Sequence, residues 1–266
     1  MNKRQRQQMK RWIKGWLINL GLWGRVQKWR GKETPGLAIE PLVRTGLSFY
    51  KEFVQPGSTV FDVGANYGNR VEIFLKCGAK VIAIEPQVKC GEYLKRHFGD
   101  QITWVPKGVG AKVEMREFFE ADNSVLSTFS SDYIDRVKDT RHVSSLWKKS
   151  SRQVELTTLD QLLYTYGEPS FIKVDVEGFE LEVVGGLTRA VGTISLEYTV
   201  PELLPDLIQI IDRLESIGYN QFNHSVGESM VFGGLWVDSH VFRERVQSHE
   251  FSGTRFGDIY ARVANS

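Results

Sequence analysis

Cysteine is nearly absent: Cys77 and Cys90 are the two in 266 residues, at a spacing that suits neither a disulfide framework nor a metal site. This excludes a small cross-linked scaffold and fits a reducing compartment. Apolar runs of 18 residues or more are missing as well, and so is a leader pattern. No membrane span or secretion signal is read, and a cytoplasmic location is expected. Acidic residues are missing from the first 32 positions, which hold ten Lys and Arg and leave 24 basic against 32 acidic residues, or −8, for the remainder. The overall charge of +2 therefore hides a basic arm on an acidic body.

What is present is ordinary globular composition, 41% hydrophobic and 25% charged, in a chain long enough for a substantial core. Residues 1–36 read as an arm and linker, and 37–266 as one domain. In the arm Met9, Trp12, Ile13, Trp16, Leu17, Leu20 and Trp23 recur at helical steps, with Lys10, Arg11 and Lys14 off that face. A Trp-rich basic helix of this kind suits peripheral contact at the inner membrane face; the alternative is a helix that covers its own sheet or a second copy. Residues 37–55 read as a second amphipathic helix.

The chain is organised around Thr59-Val-Phe-Asp-Val-Gly-Ala-Asn-Tyr-Gly-Asn69, a buried strand turning into a helix. Gly64 and Gly68 allow close approach of backbone to a ligand, and the first amides of the next helix face it unpaired. The two glycines are four apart, whereas first and last glycines of a dinucleotide fingerprint are five apart. The spacing resembles the Gly-x-Gly-x-Gly loop of S-adenosylmethionine enzymes, with Asn66 in the middle place. A second strand, Lys80–Glu85, ends in an acid 17 residues after Gly68, where Glu85 can accept from ribose hydroxyls; its alternative is a helix-start charge ahead of Pro86. Helix Gln87–Phe98 and strand Ile102–Val105 follow, and the alternation means a parallel sheet with crossover helices. Gly108, in Lys107-Gly-Val-Gly110, falls where an adenine edge would lie. Lys112–Phe119 alternates like an antiparallel strand.

Residues 121–152 are polar and without a clear period, which suits a lid or binding loop. Asn123, Ser124, Ser127 and Thr128 are its hydrogen-bonding candidates for substrate, while His142 reads as a solvated side chain. Thr158 caps a helix together with Gln161. The second chemical centre is Phe171-Ile-Lys-Val-Asp-Val-Glu-Gly-Phe-Glu180, a buried strand carrying charge at its carboxyl end, where open α/β sheets bind ligands. Asp175 and Glu177 are catalytic candidates and Lys173 a substrate ligand; the alternative is an internal ion pair of Lys173 with Asp175 or Glu177. Strand Thr193–Glu197 ends in a further catalytic candidate, Glu197. Pro201 opens a helix to Ser216. Short strands near Tyr219–Phe222 and Asp258–Val263 close the sheet, with His224 just past the first as a substrate candidate.

With Phe61-Asp-Val-Gly-Ala-Asn-Tyr-Gly68 and Ile172-Lys-Val-Asp-Val-Glu-Gly-Phe-Glu180 both in place, residues 55–200 resemble the FkbM family of S-adenosylmethionine-dependent methyltransferases. The resemblance implies an α/β, Rossmann-like class I fold: a seven-stranded, mostly parallel sheet with an antiparallel last strand. It also implies S-adenosylmethionine as cofactor and O-methylation of a hydroxyl on a saccharide or related small molecule. Carried over position by position, Asp62, Gly64, Ala65, Asn66 and Gly68 hold the cofactor's amino acid part and Glu85 with Pro86 its ribose. Asn123, Ser124 and Ser127 resemble more loosely the family's Asn and Ser segment. Asp175 is the first candidate for the base, with Glu197 and His224 behind it. No metal is assigned; Asp175, Glu177 and Glu197 could instead bind a divalent cation, but nothing in their spacing requires it. Competing readings are an NAD-dependent oxidoreductase and a catalytically silent scaffold of the same fold. A nucleic-acid substrate is not expected, since no Asn-Pro-Pro-Tyr type motif is present.

Overall fold

The computed structural model describes residues 39–121, 124–138 and 147–264; the Trp-rich arm, Asn123 and His142 lie outside them. Helix α1 (Ile39–Tyr50) leads to β1 (Thr59–Val63), α2 (Asn69–Lys76), β2 (Lys80–Ile84), α3 (Val88–Phe98) and β3 (Ile102–Val105). The two-residue β4 (Gly108–Val109), β5 (Met115–Ala121), α4 (Ser131–Lys138) and β6 (Trp147–Thr157) come next. Then follow α5 (Leu159–Tyr166), β7 (Phe171–Val174), α6 (Glu180–Gly185), β8 (Thr193–Thr199), α7 (Leu204–Ser216), β9 (Gln221–Val226), α8 (Ser239–Val246), α9 (His249–Gly253) and β10 (Phe256–Arg262). The main sheet has seven strands in the order β3-β2-β1-β7-β8-β10-β9. All are parallel except β10, the last in sequence, which runs antiparallel to both β8 and β9.

The strands are apolar on both sides because helices cover both faces. Phe61, Val63, Ile82, Ile84, Ile172 and Val174 join one core with α5 to α9. Val60, Val81, Ala83 and Phe171 join the other with α1, α2 and α3. No helix among the described residues is long and apolar enough to cross a membrane.

Several boundaries differ from the sequence reading. The stretch 121–152 holds a 3-10 turn at Ser124–Leu126, α4, and the start of β6, which pairs antiparallel with β5 from Met115 opposite Glu155 to Ala121 opposite Trp147. Its polar residues Lys148 to Arg152 precede the inward-facing Val154 and Leu156, so the hydrophobic period is too short to read. Pro205, not Pro201, occupies the first turn of α7. The closing strands are longer than expected because β10 is inserted between two partners and paired along its whole length. This places Glu197 inside β8 rather than at its tip, and His224 inside β9 rather than after it.

Candidate active site

The turn after β1 is built from three residues in the left-handed region: Gly64 (φ 83), Asn66 (φ 48) and Gly68 (φ 83). Asparagine is among the side-chain residues that tolerate this conformation best. The glycines are required here by protein rather than by ligand. A Cβ on Gly64 would stand 1.9 Å from the Asp175 carbonyl oxygen, and one on Gly68 would strike Phe98 and Leu94. Gly64 is thus where the two sequence motifs touch, an arrangement tightened by the Asp175 amide donating to the Val63 carbonyl at 3.0 Å.

Glu85, just past β2, closes the turn from the other side. Its Oε2 accepts from the Asn66 amide at 2.8 Å and its Oε1 from the Gln87 amide at 2.7 Å. Burial pushes this carboxyl up to about 7, opposed by those amide hydrogen bonds. The roof of the site is tied to the same atoms: Ser124 Oγ donates to Asn66 Oδ1 at 3.2 Å, Gln87 Nε2 to the Ser124 carbonyl at 3.1 Å, and Ser127 Oγ to Gln87 Oε1 at 3.2 Å. Arg152 fixes β6 to this corner by donating to the Pro86 carbonyl at 2.5 Å.

These elements border a cleft open to solvent. Gly64, Asn66, Glu85, Pro86, Gly108, Ser124, Ser127, Asp175 and Glu177 all line it. Asp62, Ala65, Gly68, Lys173, Glu197 and His224 do not. Asp62 points into a buried polar layer beneath the turn, Ala65 into the α1 to α3 core, and Gly68 caps α2. His224 is buried against Phe242 and Phe251, and burial lowers its imidazole to about 4. Gln87, Phe118 and Phe129 also line the cleft, and the sequence reading missed them. Gln87 was open to recognition as the residue following Glu85-Pro86; Phe129 carried no periodic signal, since it lies in an irregular segment.

Lys173 is a buried ion-pair centre, not a cleft residue. Its Nζ lies 3.0 Å from Asp258 Oδ1, 3.2 Å from the Val174 carbonyl and 3.5 Å from Asp175 Oδ2. The internal-pair alternative therefore describes it, with Asp258 of β10 as the nearer partner. Glu177 is held at φ 56, a conformation that costs a side-chain residue about 1–2 kcal/mol, and Tyr133 donates its hydroxyl to Oε2 at 2.9 Å. Gly178 lacks a side chain because the Tyr133 ring occupies that space. Glu180 turns back so that Oε1 accepts from the Val176 and Gly178 amides, and burial pushes its carboxyl up to about 7.

Asp175, Glu177 and Glu197 bring one carboxylate oxygen each to within 4.8 Å of one another and could hold a divalent cation. Burial, with Asp175 and Glu177 adding repulsion, drives the Glu197 carboxyl well above its ordinary range. Such crowding of acids beside the cleft suits proton abstraction.

The model of the methyltransferase FkbM domain matches residues 62–220, from the acid of β1 to the entry of β9. The chain belongs to the FkbM methyltransferase family. No curated protein matches the chain. Among solved structures, a TehB-like SAM-dependent methyltransferase from Corynebacterium glutamicum is 12% identical, over 91% of this chain and 97% of that one, at a TM-score of 0.49. A precorrin-6y C5,15-methyltransferase from Geobacter metallireducens is 13% identical over 87% and 92%, at 0.41. Aeropyrum pernix fibrillarin, solved with natively bound S-adenosyl-L-methionine, is 8% identical over 83% and 76%, at 0.44. Likeness this distant does not say what the FkbM methyltransferase acts on.

Proposed function

We propose that this FkbM methyltransferase moves the methyl group of S-adenosylmethionine to a hydroxyl oxygen of a saccharide or related small molecule, with Asp175 as the base. The observation that carries the reading is the contact between the two motifs: the turn that faces the cofactor packs on the backbone of Asp175, so donor and base share one wall of the cleft. In this reading Glu85 and Pro86 border the ribose, Gly64 and Asn66 the amino acid part, and Gly108 with Phe118 and Phe129 the adenine side. Ser124 and Ser127 border the acceptor.

Transfer from a sulfonium is an in-line displacement of a methyl group that is already activated, so positioning and exclusion of water supply much of the rate. The hydroxyl must lose its proton as the bond to carbon forms. A carboxylate within reach contributes about 10² to 10⁴ to that step. Asp175 is the better placed of the three acids because it lines the cleft and has Lys173 beside it as a counter-charge. Glu177 also lines the cleft but is engaged by Tyr133, and Glu197 stands behind both.

Calorimetry with S-adenosylmethionine, S-adenosylhomocysteine and NAD separates the competing readings. The first two bind if the proposal holds, NAD binds if the chain is an oxidoreductase, and none binds if it is a silent scaffold. Asp175→Asn is expected to keep cofactor affinity and to abolish transfer of labelled methyl into a saccharide fraction from cells lacking the gene. Transfer at the wild-type rate removes Asp175 as base. Peripheral membrane contact through residues 1–32 belongs to the same proposal: sedimentation with anionic vesicles should be lost when they are removed, and an intact chain that never sediments rejects it.

A further inference from the structure

Among the described residues, five buried side-chain atoms make no hydrogen bond to protein: Tyr50 Oη, Asp62 Oδ2, Ser195 Oγ, His224 Nδ1 and Arg245 Nη1. Orphaned buried polar atoms are rare in folded proteins and costly, so where they gather is informative. Three of the five gather around Lys173. Asp62 and Ser195 are its register partners on the two neighbouring strands, β1 and β8, and project from the same face of the sheet. Tyr50 reaches over that face from α1, with its ring edge-on to Phe171, two residues before Lys173. Arg70, Asp258 and Lys173 are the charges that act on its hydroxyl most strongly. Tyr50 and Ser195 are 0% exposed and Asp62 is 2% exposed.

Lys173 cannot satisfy its neighbour Asp62. An ammonium has three donors, and Asp258, the Val174 carbonyl and Asp175 account for all three. Nor do the two hydroxyls reach Asp62, since each is itself without a partner. The surroundings are polar enough to retain water: Tyr260, opposite Ser195, keeps its hydroxyl near Asp258 and Ser225. Phe49, Phe53 and Phe232 pack against Tyr260 and close the layer against bulk solvent.

We propose that Lys173 sits in a buried hydration site where ordered water bridges Asp62, Tyr50 and Ser195. Such a water finds the two to four polar partners it requires, and each orphaned atom gains one. The site is independent of the proposed acceptor and of the choice of base. It ties β1, beneath the cofactor turn, to α1 and to β8.

A crystal structure of the full chain with S-adenosylhomocysteine tests this directly. Ordered water within hydrogen-bond distance of Asp62 Oδ2 and of Tyr50 Oη or Ser195 Oγ is the expected result, and an Asp62 Oδ2 contacted only by protein atoms overturns it. Thermal unfolding of Tyr50→Phe and Ser195→Ala gives a second reading of opposite sign for the two cases. With water present each loses a partner and Tm falls by about 2–4 °C; in a dry layer an unsatisfied hydroxyl is removed and Tm holds or rises. The fall for Tyr50→Phe should shrink in an Asp62→Asn background, because the two share a ligand; strict additivity counts against the bridge.

Discussion

Replacing Lys173 with Met distinguishes a substrate ligand from a structural ion-pair centre. The side chain is 2% exposed and its nearer partner, Asp258, 7% exposed, so removing the cation leaves Asp258 buried with a single hydroxyl, Tyr260 at 3.4 Å, still beside it. Removing one partner of a buried pair costs about 3–5 kcal/mol. For a domain of this size each kcal/mol moves Tm by about 2–4 °C, so the variant is expected to melt about 6–20 °C lower. A double variant, Lys173→Met with Asp258→Leu, should recover part of that loss, since apolar replacement of a whole buried pair is often neutral. The assay is a denaturation scan of the single, the other single and the double variant. A Lys173→Met protein that melts at the wild-type temperature, or a double variant worse than the sum of both singles, refutes the reasoning and returns Lys173 to the list of substrate ligands.

Asp62 gives a pH test. Burial pushes its carboxyl up to about 7, with Lys173 and Arg70 pulling the other way. An acid whose folded value lies above its unfolded value binds its proton more tightly when folded, so its contribution to stability falls as pH rises from about 4 to about 7. Asp62→Asn, uncharged throughout, should therefore gain stability relative to wild type at pH 8 compared with pH 5; a difference independent of pH contradicts the assignment. Gly64→Ala combines a φ of 83 with a Cβ placed 1.9 Å from the Asp175 carbonyl oxygen, and a loss of about 2–5 kcal/mol is expected from strain and overpacking together. A soluble Gly64→Ala protein with wild-type Tm argues against this packing. Glu85→Ala should weaken S-adenosylmethionine binding at least about tenfold by calorimetry, since it removes both a cleft wall and the acceptor of the Asn66 and Gln87 amides. Unchanged affinity removes Glu85 from the site.

The parts of this protein that were legible in its sequence are those written in local pattern. Strand-to-helix alternation from Thr59 to Val105 marks the parallel sheet, and the spacing of the glycine loop and Glu85 picks out Gly64 and Glu85, both of which line the cleft. Both are consequences of contacts within some 20 residues or of periodicity along one element. Thr158 was legible for the same reason, its hydroxyl accepting from Gln161 three positions on.

Tertiary structure alone decided what depends on partners far along the chain. Lys173 looked like a cleft residue because charge at a strand end is costly without a use; its use is Asp258, brought beside it by the last strand. Gly64 looked like room for a ligand, yet its space belongs to the backbone of residue 175. Glu197 and His224 read as strand-end residues until pairing with β10 extended both strands past them. In each case the deciding term is a close approach between segments remote in sequence, and a one-dimensional pattern carries no record of which atoms will fill the space across a sheet.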